Sequence, residues 1–341
     1  MFFLVKCLFF ALLSFTDLCA SEEQGIVLAT KRLIFEEFPD AYNPSIVPFQ
    51  EGYLLCFRHV PNHHVHPWVS HTGIVILDKT FTPISKPQLL KMRPKQSKTP
   101  SQAEDARLFT YKGRVFLIYN DNIEVTHPTL SDRRDMFVAE LFYQNGFFTI
   151  SAARKLIHEA EYQSRIWQKN WVPFEWNGML LLTYSVNPHE ILYPNFVSGN
   201  CYPYHKTELD LAWKWGGLRC SVPPLLDEGE YLSFFHSASF TSSPASWGYD
   251  MWHYFMGAYT FSKDPPFHIT KMSASPIIGD NFYTPSSFYK RVVFPGGCVI
   301  SDSYIYVAYG KDDREIWIAT LDKAALKRSL IPVQPKDLFR N

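Results

Sequence analysis

The chain has no net charge. Its 341 residues carry 33 basic and 33 acidic side chains, with no block of either sign. A protein that neutralises nucleic-acid phosphates needs a basic patch, so this balance speaks against nucleic acid as a partner. Beyond the first twenty residues no apolar run is long enough to cross a bilayer as a helix, and no transmembrane segment is expected in the mature chain. Cysteine is sparse. Two of the six lie within the first twenty residues, and Cys56, Cys201, Cys220 and Cys298 show no Cys-x-x-Cys spacing, which counts against zinc. The four read as small buried apolar side chains, with the alternative that Cys201 and Cys220 close a loop in an oxidising compartment. No Asn-x-Ser/Thr acceptor with a permitted middle residue occurs. Helical periodicity is confined to short stretches near 321–330 and 154–165.

The first twenty residues have the form of an export signal. A short start with Lys6 precedes the apolar stretch CLFFALLSF at 7–15, and Ala20 offers a small residue at a cleavage edge. Cleavage near Ala20 is expected, which places the protein in a secreted or periplasmic location; an uncleaved anchor is the alternative. Residues 21–341 then form one domain. Leu18 before Cys19 makes a poor lipoprotein signal.

Aromatic residues make up 16% of the chain. Tryptophan and tyrosine suit a sugar site, where ring faces pack on C–H surfaces and polar edges hydrogen-bond. The rest of the sequence is short β-rich runs separated by Pro, Gly, Asn and Asp.

Those runs repeat. Segments 43–60, 104–121, 169–187, 221–239 and 294–313 each hold a short strand, a turn and an apolar strand ending in a polar residue. Aligned on Gly52, Gly113, Gly178, Glu230 and Ser303, they recur about every 60 residues, the length of one four-stranded propeller blade. The expected fold is all-β, a five-bladed β-propeller; a β-sandwich would not repeat one hairpin at this period. Six residues past the turn stand Arg58, Tyr119, Tyr184, His236 and Tyr309. Eight before it stand Pro44, Asp105, Asn170, Val222 and Pro295, so Glu104-Asp105 and Lys169-Asn170 occupy matching places. A propeller brings such columns to one axis, where an acid pair beside a lysine–amide pair reads as an active site. An isolated acid–arginine pair is more often a surface ion pair; the repeat reverses that preference.

At these residues the chain resembles glycoside hydrolase family 130, the β-mannoside phosphorylases and mannosidases. Glu104-Asp105-Ala106-Arg107 matches a Glu-Asp-Pro-Arg motif with Ala for Pro, and Lys169-Asn170-Trp171 a Lys-Asn-Trp motif. Pro223-Pro224 with Tyr231 through His236, and Phe294-Pro295-Gly296-Gly297 with Tyr309-Gly310-Lys311-Asp312-Asp313, follow in the family's order. The resemblance spans roughly residues 40–322 and implies the five-bladed fold. It also implies an inverting enzyme that cleaves or transfers β-mannosyl groups of an oligosaccharide or glycan. Asp105 is carried over as general acid, acting through a sugar hydroxyl. Phosphate needs fixed cations and donors. Arg107, Lys169, His236 and Arg133 or Arg134 are the candidates, with Glu104, Asn170, Tyr309 and Asp312 or Asp313 as further substrate ligands. No cofactor or metal is implied; inorganic phosphate is a co-substrate if the reaction is phosphorolysis, and water or a sugar takes its place otherwise. The sequence sets no oligomeric state.

Other readings stay open here. Ala106 in place of proline fits a non-catalytic glycan-binding propeller as well as an enzyme. An arabinanase-like glycosidase is disfavoured because its first-blade acid is absent from Asn43-Pro44-Ser45-Ile46. His59, His63, His64, His66 and His71 form a substrate loop with Trp68, or equally a loop packed on the blade, or, less readily, a metal site. Trp213 and Trp215 read as filler between blades or as the border of the cleft. Asp227-Glu228 reads as an exposed turn.

Overall fold

The computed structural model describes residues 25–64, 68–93, 100–122, 133–162, 164, 167–210, 213–286 and 288–334. The stretch expected to be an export signal and His66 lie outside the described residues. Nearly every regular element is a β-strand, and the strands pair as successive antiparallel units. The first runs Tyr42–Phe49, Gly52–His59, His71–Leu77 and Gln88–Leu89. The second begins Glu104–Tyr111, Arg114–Asp121 and Asp135–Gln144. The third is Val172–Trp176, Met179–Ser185, His189–Pro194 and Asn200–Thr207. The fourth is built on the long pair Glu230–Thr241 and Met251–Ser262, flanked by Leu225–Asp227 and Ile269–Ser273. The last is Lys290–Ile300, Tyr304–Lys311 and Glu315–Asp322, completed by Val27–Leu33 from the other end of the chain.

Each unit buries both faces, which explains the unbroken apolar runs where an exposed sheet would alternate. The buried residues form clusters shared by consecutive units. Leu54 and Ile74 meet Leu117 and Phe137, Ile118 meets Trp171 and Leu182, Leu181 meets Phe235 and Tyr259, and Phe234 meets Val293 and Val307. A further cluster joins the first unit to the last, through Ile46, Leu55, Ala308 and Ile318. Two glycines permit that final approach. A Cβ at Gly296 would stand 2.0 Å from the Pro44 carbonyl oxygen, and one at Gly310 would stand 2.2 Å from Asn43 Oδ1.

Three of the repeated hairpins turn on two left-handed residues, Lys112-Gly113, Asn177-Gly178 and Glu228-Gly229, the turn whose twist matches the strands. This corrects the repeat by one residue in two units. The fourth turns at Gly229, not Glu230, and the first at Gln50-Glu51, before Gly52. The column eight residues earlier therefore holds Asn43 rather than Pro44, and Ser221 rather than Val222. The last unit has a longer loop, with Ile300 opposite Ile305.

The helix expected near 321–330 is present as Lys323–Ser329, its start capped by Asp322, which accepts from the Ala325 N–H. The stretch 154–165 is instead a strand, Arg154–His158, followed by one helical turn, Glu159–Tyr162. Arg154–Leu156 pair with Val138–Met136, so tertiary pairing overrides local propensity. Cys201 and Cys220 do not pair with each other. All four described cysteines are buried thiols, and burial pushes those of Cys56, Cys201 and Cys298 up to about 12. Trp213 packs edge-on against Phe235 and donates to Ser237 Oγ at 2.9 Å, filling space between units.

Candidate active site

In the first two units the opening strand carries a β-bulge just inside its start, between Tyr42 and Ser45 and between Glu104 and Arg107. A bulge re-aims the side chain it carries. Asn43 (φ 47°) and Asp105 (φ 52°) take left-handed backbone within the bulges, and Asn170 (φ 64°) takes it just before the third unit's first strand. Asp and Asn are among the few side-chain-bearing residues that tolerate this conformation. Ala106 leaves this geometry intact, because Asn43 holds the same conformation although Pro44 follows it. The equivalent residues of neighbouring units meet directly: Asn43 Nδ2 donates to Asp105 Oδ1 at 2.9 Å.

The three line one cavity of about 740 Å³, together with Glu104, Lys169, His236 and Trp68. That volume is in the range of small-molecule sites. Glu104 is buried and encircled by cations. Its Oε1 lies 2.8 Å from Arg58 Nη2 and 3.5 Å from Arg134 Nη2, and its Oε2 lies 2.8 Å from Lys169 Nζ. Burial alone would raise its pKa, but Arg58, Lys169 and Arg134 prevail and hold it at about 2. Glu104 is thus a fixed anion that organises its neighbours and has no proton to give near neutrality.

Of this adjacent pair, Asp105 is the carboxylate left to face the cavity. Its Oδ1 takes the Asn43 bond and sits 3.6 Å from Arg58 Nη1. Arg58 also reaches Ser70 Oγ at 3.0 Å and lies over the Tyr42 ring. Burial disfavours its charge, yet Glu104, Tyr42 and Asp105 raise its pKa. One guanidinium therefore fixes the relative positions of both acids.

His236 lines the cavity, buried, with Nδ1 2.5 Å from Ser221 Oγ. Burial first, then Arg219 and Arg107, push its pKa well below the usual range. It is a neutral hydrogen-bonding ring, which among the cations and donors suggested for phosphate makes it a donor. Arg107 is not at the cavity surface either. It is fully buried behind Asp105, donating to the carbonyls of Asp105 at 2.7 Å and Ser221 at 2.5 Å, with its guanidinium over Phe294. It ties the second unit to the fourth and last. Tyr309 is wholly buried against Phe282 and Trp317. Asp312 turns inward to accept from the Val292 N–H and Ser286 Oγ. Asp313 faces the cavity in its place, paired with Lys290. Arg133 lies over Tyr162 and pairs with Asp135, away from the cavity, whereas Arg134 joins Glu104.

The cavity wall thus carries five cationic side chains, Arg58, Lys169, Arg219, Lys290 and Arg314, against three carboxylates, Glu104, Asp105 and Asp313. Arg219 and Arg314 make no ion pair among the described residues. His63 and His64 also line the wall, and Trp68 Nε1 donates to the His63 carbonyl at 3.1 Å. Among the described residues no group of three His, Cys, Asp or Glu is placed to hold a metal ion.

No family model matches the sequence, and no curated protein matches it. Solved structures do. The β-1,2-mannobiose phosphorylase of Listeria innocua superposes with a TM-score of 0.60 over 89% of this chain and 94% of its own, at 14% identity. A mannose phosphorylase from Leishmania mexicana, in complex with phosphate ion, gives 0.56 over 94% and 96%, at 12% identity. A structure from glycoside hydrolase family 130, whose mannoside phosphorylases include hydrolases of β-1,2 linkages in Candida mannan, gives 0.61 over 84% and 85%, at 13% identity. The fold is that of the mannoside phosphorylases. On this fold, sequence reasoning missed Arg58, Arg219, Lys290 and Arg314. The sequence held no signal for Arg58: in the corrected register Phe57 and Phe235, not Arg58 and His236, share a column with Tyr119 and Tyr184.

Proposed function

We propose that the chain is a five-bladed β-propeller enzyme that breaks a β-mannoside by inverting phosphorolysis, with Asp105 as general acid. The observation that carries this reading is the division of labour between adjacent acids. Glu104 is spent on three cations, while Asp105 is steered into the cavity by its bulge and held by Asn43 and Arg58. A phosphate oxygen forms a bond to the anomeric carbon as the glycosidic C–O bond breaks. The departing oxygen takes its proton from Asp105, relayed through a sugar hydroxyl. The products are a sugar 1-phosphate of inverted configuration and a shortened sugar.

Phosphate is preferred over water for an electrostatic reason. An inverting hydrolase needs a second carboxylate free to act as base, roughly 6.5–9.5 Å from the acid. The other two cavity carboxylates are engaged, Glu104 with Arg58, Lys169 and Arg134, and Asp313 with Lys290. Phosphate needs no base and carries about two negative charges near neutrality. Arg219 and Arg314, which make no ion pair among the described residues, supply matching charge on the wall. Export across a membrane belongs to the proposal and favours water as the competing acceptor, because phosphate is scarcer outside cells.

The test is one incubation of purified protein with β-1,2-mannobiose, with and without phosphate, read by mass. Mannose 1-phosphate formed only with phosphate supports the reading. Mannose released equally in both tubes replaces phosphorolysis with hydrolysis, and binding without product replaces both with a glycan-binding role. Intact mass of the exported chain, starting at Ser21, checks the signal.

A further inference from the structure

The fourth unit's central hairpin extends beyond the sheet that holds it. Glu230–Thr241 and Met251–Ser262 stay in register to Thr241 opposite Met251. Side chains two residues apart on a strand share a face. His236 therefore shares a face with Ala238 and Phe240, and Met256 with Tyr254 and Trp252. Within the cavity this face contributes His236 and Tyr254, whose rings stack 6.1 Å apart. Further out it carries Phe240 opposite Trp252, rings 5.6 Å apart and 60% and 47% exposed. Four strand residues span roughly 13 Å, so an aromatic path leads from the cavity wall to its outside edge.

The tip beyond this pair is braced. Arg291, fully buried, donates from Nε to the Ala245 carbonyl at 2.7 Å and from Nη1 to that of Phe288 at 2.7 Å. Its Nη2 donates to the Ser286 carbonyl at 2.9 Å. His253 Nε2 lies 2.8 Å from Ser243 Oγ across the hairpin. Trp252 pairs with Lys290 of the cavity wall through the parallel strand contact. The hairpin tip and the cavity rim are therefore one fixed surface.

We infer that Phe240 and Trp252 form a sugar-binding platform continuous with the cavity, which holds further units of a β-linked oligosaccharide whose end is processed inside. The occupant follows from continuity. The platform lies on the same sheet face as His236 and Tyr254, is aromatic and uncharged, and presents ring surface suited to sugar C–H groups. Cross-strand packing alone accounts for a pair of rings in contact, but not for leaving about half of their surface in solvent on a rigid arm beside a cavity. Preorganised aromatic surface binds at little ordering cost. The inference rests on the mannoside reading of the cavity.

Calorimetric titration without phosphate separates the two claims, because it reads binding and not turnover. The wild-type protein is expected to bind β-1,2-mannotetraose about tenfold more tightly than β-1,2-mannobiose. Phe240→Ala/Trp252→Ala removes that difference, and Trp252→Phe restores part of it. Circular dichroism of each variant verifies folding. Equal affinity for the two sugars, a preference that persists in the double variant, or no binding of either overturns the platform. If the preference is present but no sugar is turned over, the platform stands and the proposed reaction falls.

Discussion

Two acidic dipeptides sit on opposite kinds of ground in this molecule. Glu104-Asp105 lies at the head of a strand, buried and half-buried among Arg58, Lys169 and Arg134. Asp227-Glu228 lies at a hairpin turn, paired with Lys323 and Lys327 of the helix Lys323–Ser329. Both have two acids and several cations within 4 Å. The aspartates are alike, 11% exposed at Asp227 and 14% at Asp105, and the difference between the glutamates is water. The Glu228 side chain is 64% exposed and that of Glu104 only 5%. Solvent screens an exposed pair until it contributes little. In the buried cluster each charge depends on its partners, and removing one leaves the others uncompensated. The turn pair fastens a helix; the strand-head pair sets an electrostatic geometry. Only the second lines the cavity of about 740 Å³.

The sharpest break of this comparison is Asp105→Asn. It is expected to lower kcat at least about a thousandfold, the scale of a lost general acid, with the thermal midpoint nearly unchanged. Surviving turnover in the phosphate assay would remove Asp105 from the chemistry. Glu104→Gln comes next and acts on stability as well as rate. It leaves the Arg58, Lys169 and Arg134 charges without their anion, at a cost of about 3 kcal/mol in denaturant unfolding. The pH dependence has a definite sign. The folded pKa of Glu104, about 2, lies below its ordinary 4.5. Its contribution is therefore present above pH 4.5 and is lost as pH falls from there toward 2. Unfolding curves across that window should show a shallower acid limb for Glu104→Gln than for wild type; parallel limbs would refute the assignment. The smallest effect belongs to Glu228→Gln, expected to leave both the thermal midpoint and kcat within error. A marked loss there would show that exposure does not separate the two sites.

Much of this was legible in the sequence, because a repeat is a physical constraint. Each unit has to make a tight turn, fill a layer between neighbours and bring one strand end to a shared place, so glycines, apolar runs and polar heads recur in order. The register failed where one residue type serves two purposes. Gly52 was aligned as a turn glycine, yet it opens the strand Gly52–His59, where a Cβ would stand 2.1 Å from the Leu77 carbonyl oxygen. The same ambiguity made Asp312 look like the sugar ligand, although its neighbour Asp313 faces the cavity. Arg107 illustrates a different gap. Adjacency in a motif does not say which way a side chain points, and across a bulge Asp105 turns into the cavity while Arg107 turns behind it. The cations Arg219, Lys290 and Arg314 come from segments with no shared motif, so only the folded chain assembles them.

The strand Val27–Leu33 has a consequence for how the molecule comes into being. It completes the sheet of the last unit, with Val27 opposite Leu321 and Leu33 opposite Ile316. Partners almost a whole chain length apart are the slowest contacts to form. During synthesis the first-made strand waits for the last-made sheet, and the edge of Glu315–Asp322 has no covering strand until the ends meet. Whatever precedes Val27 is thus attached to a segment that stays unpaired until nearly all the polypeptide has been made. Under the export proposed above, that is the interval in which the machinery engages it.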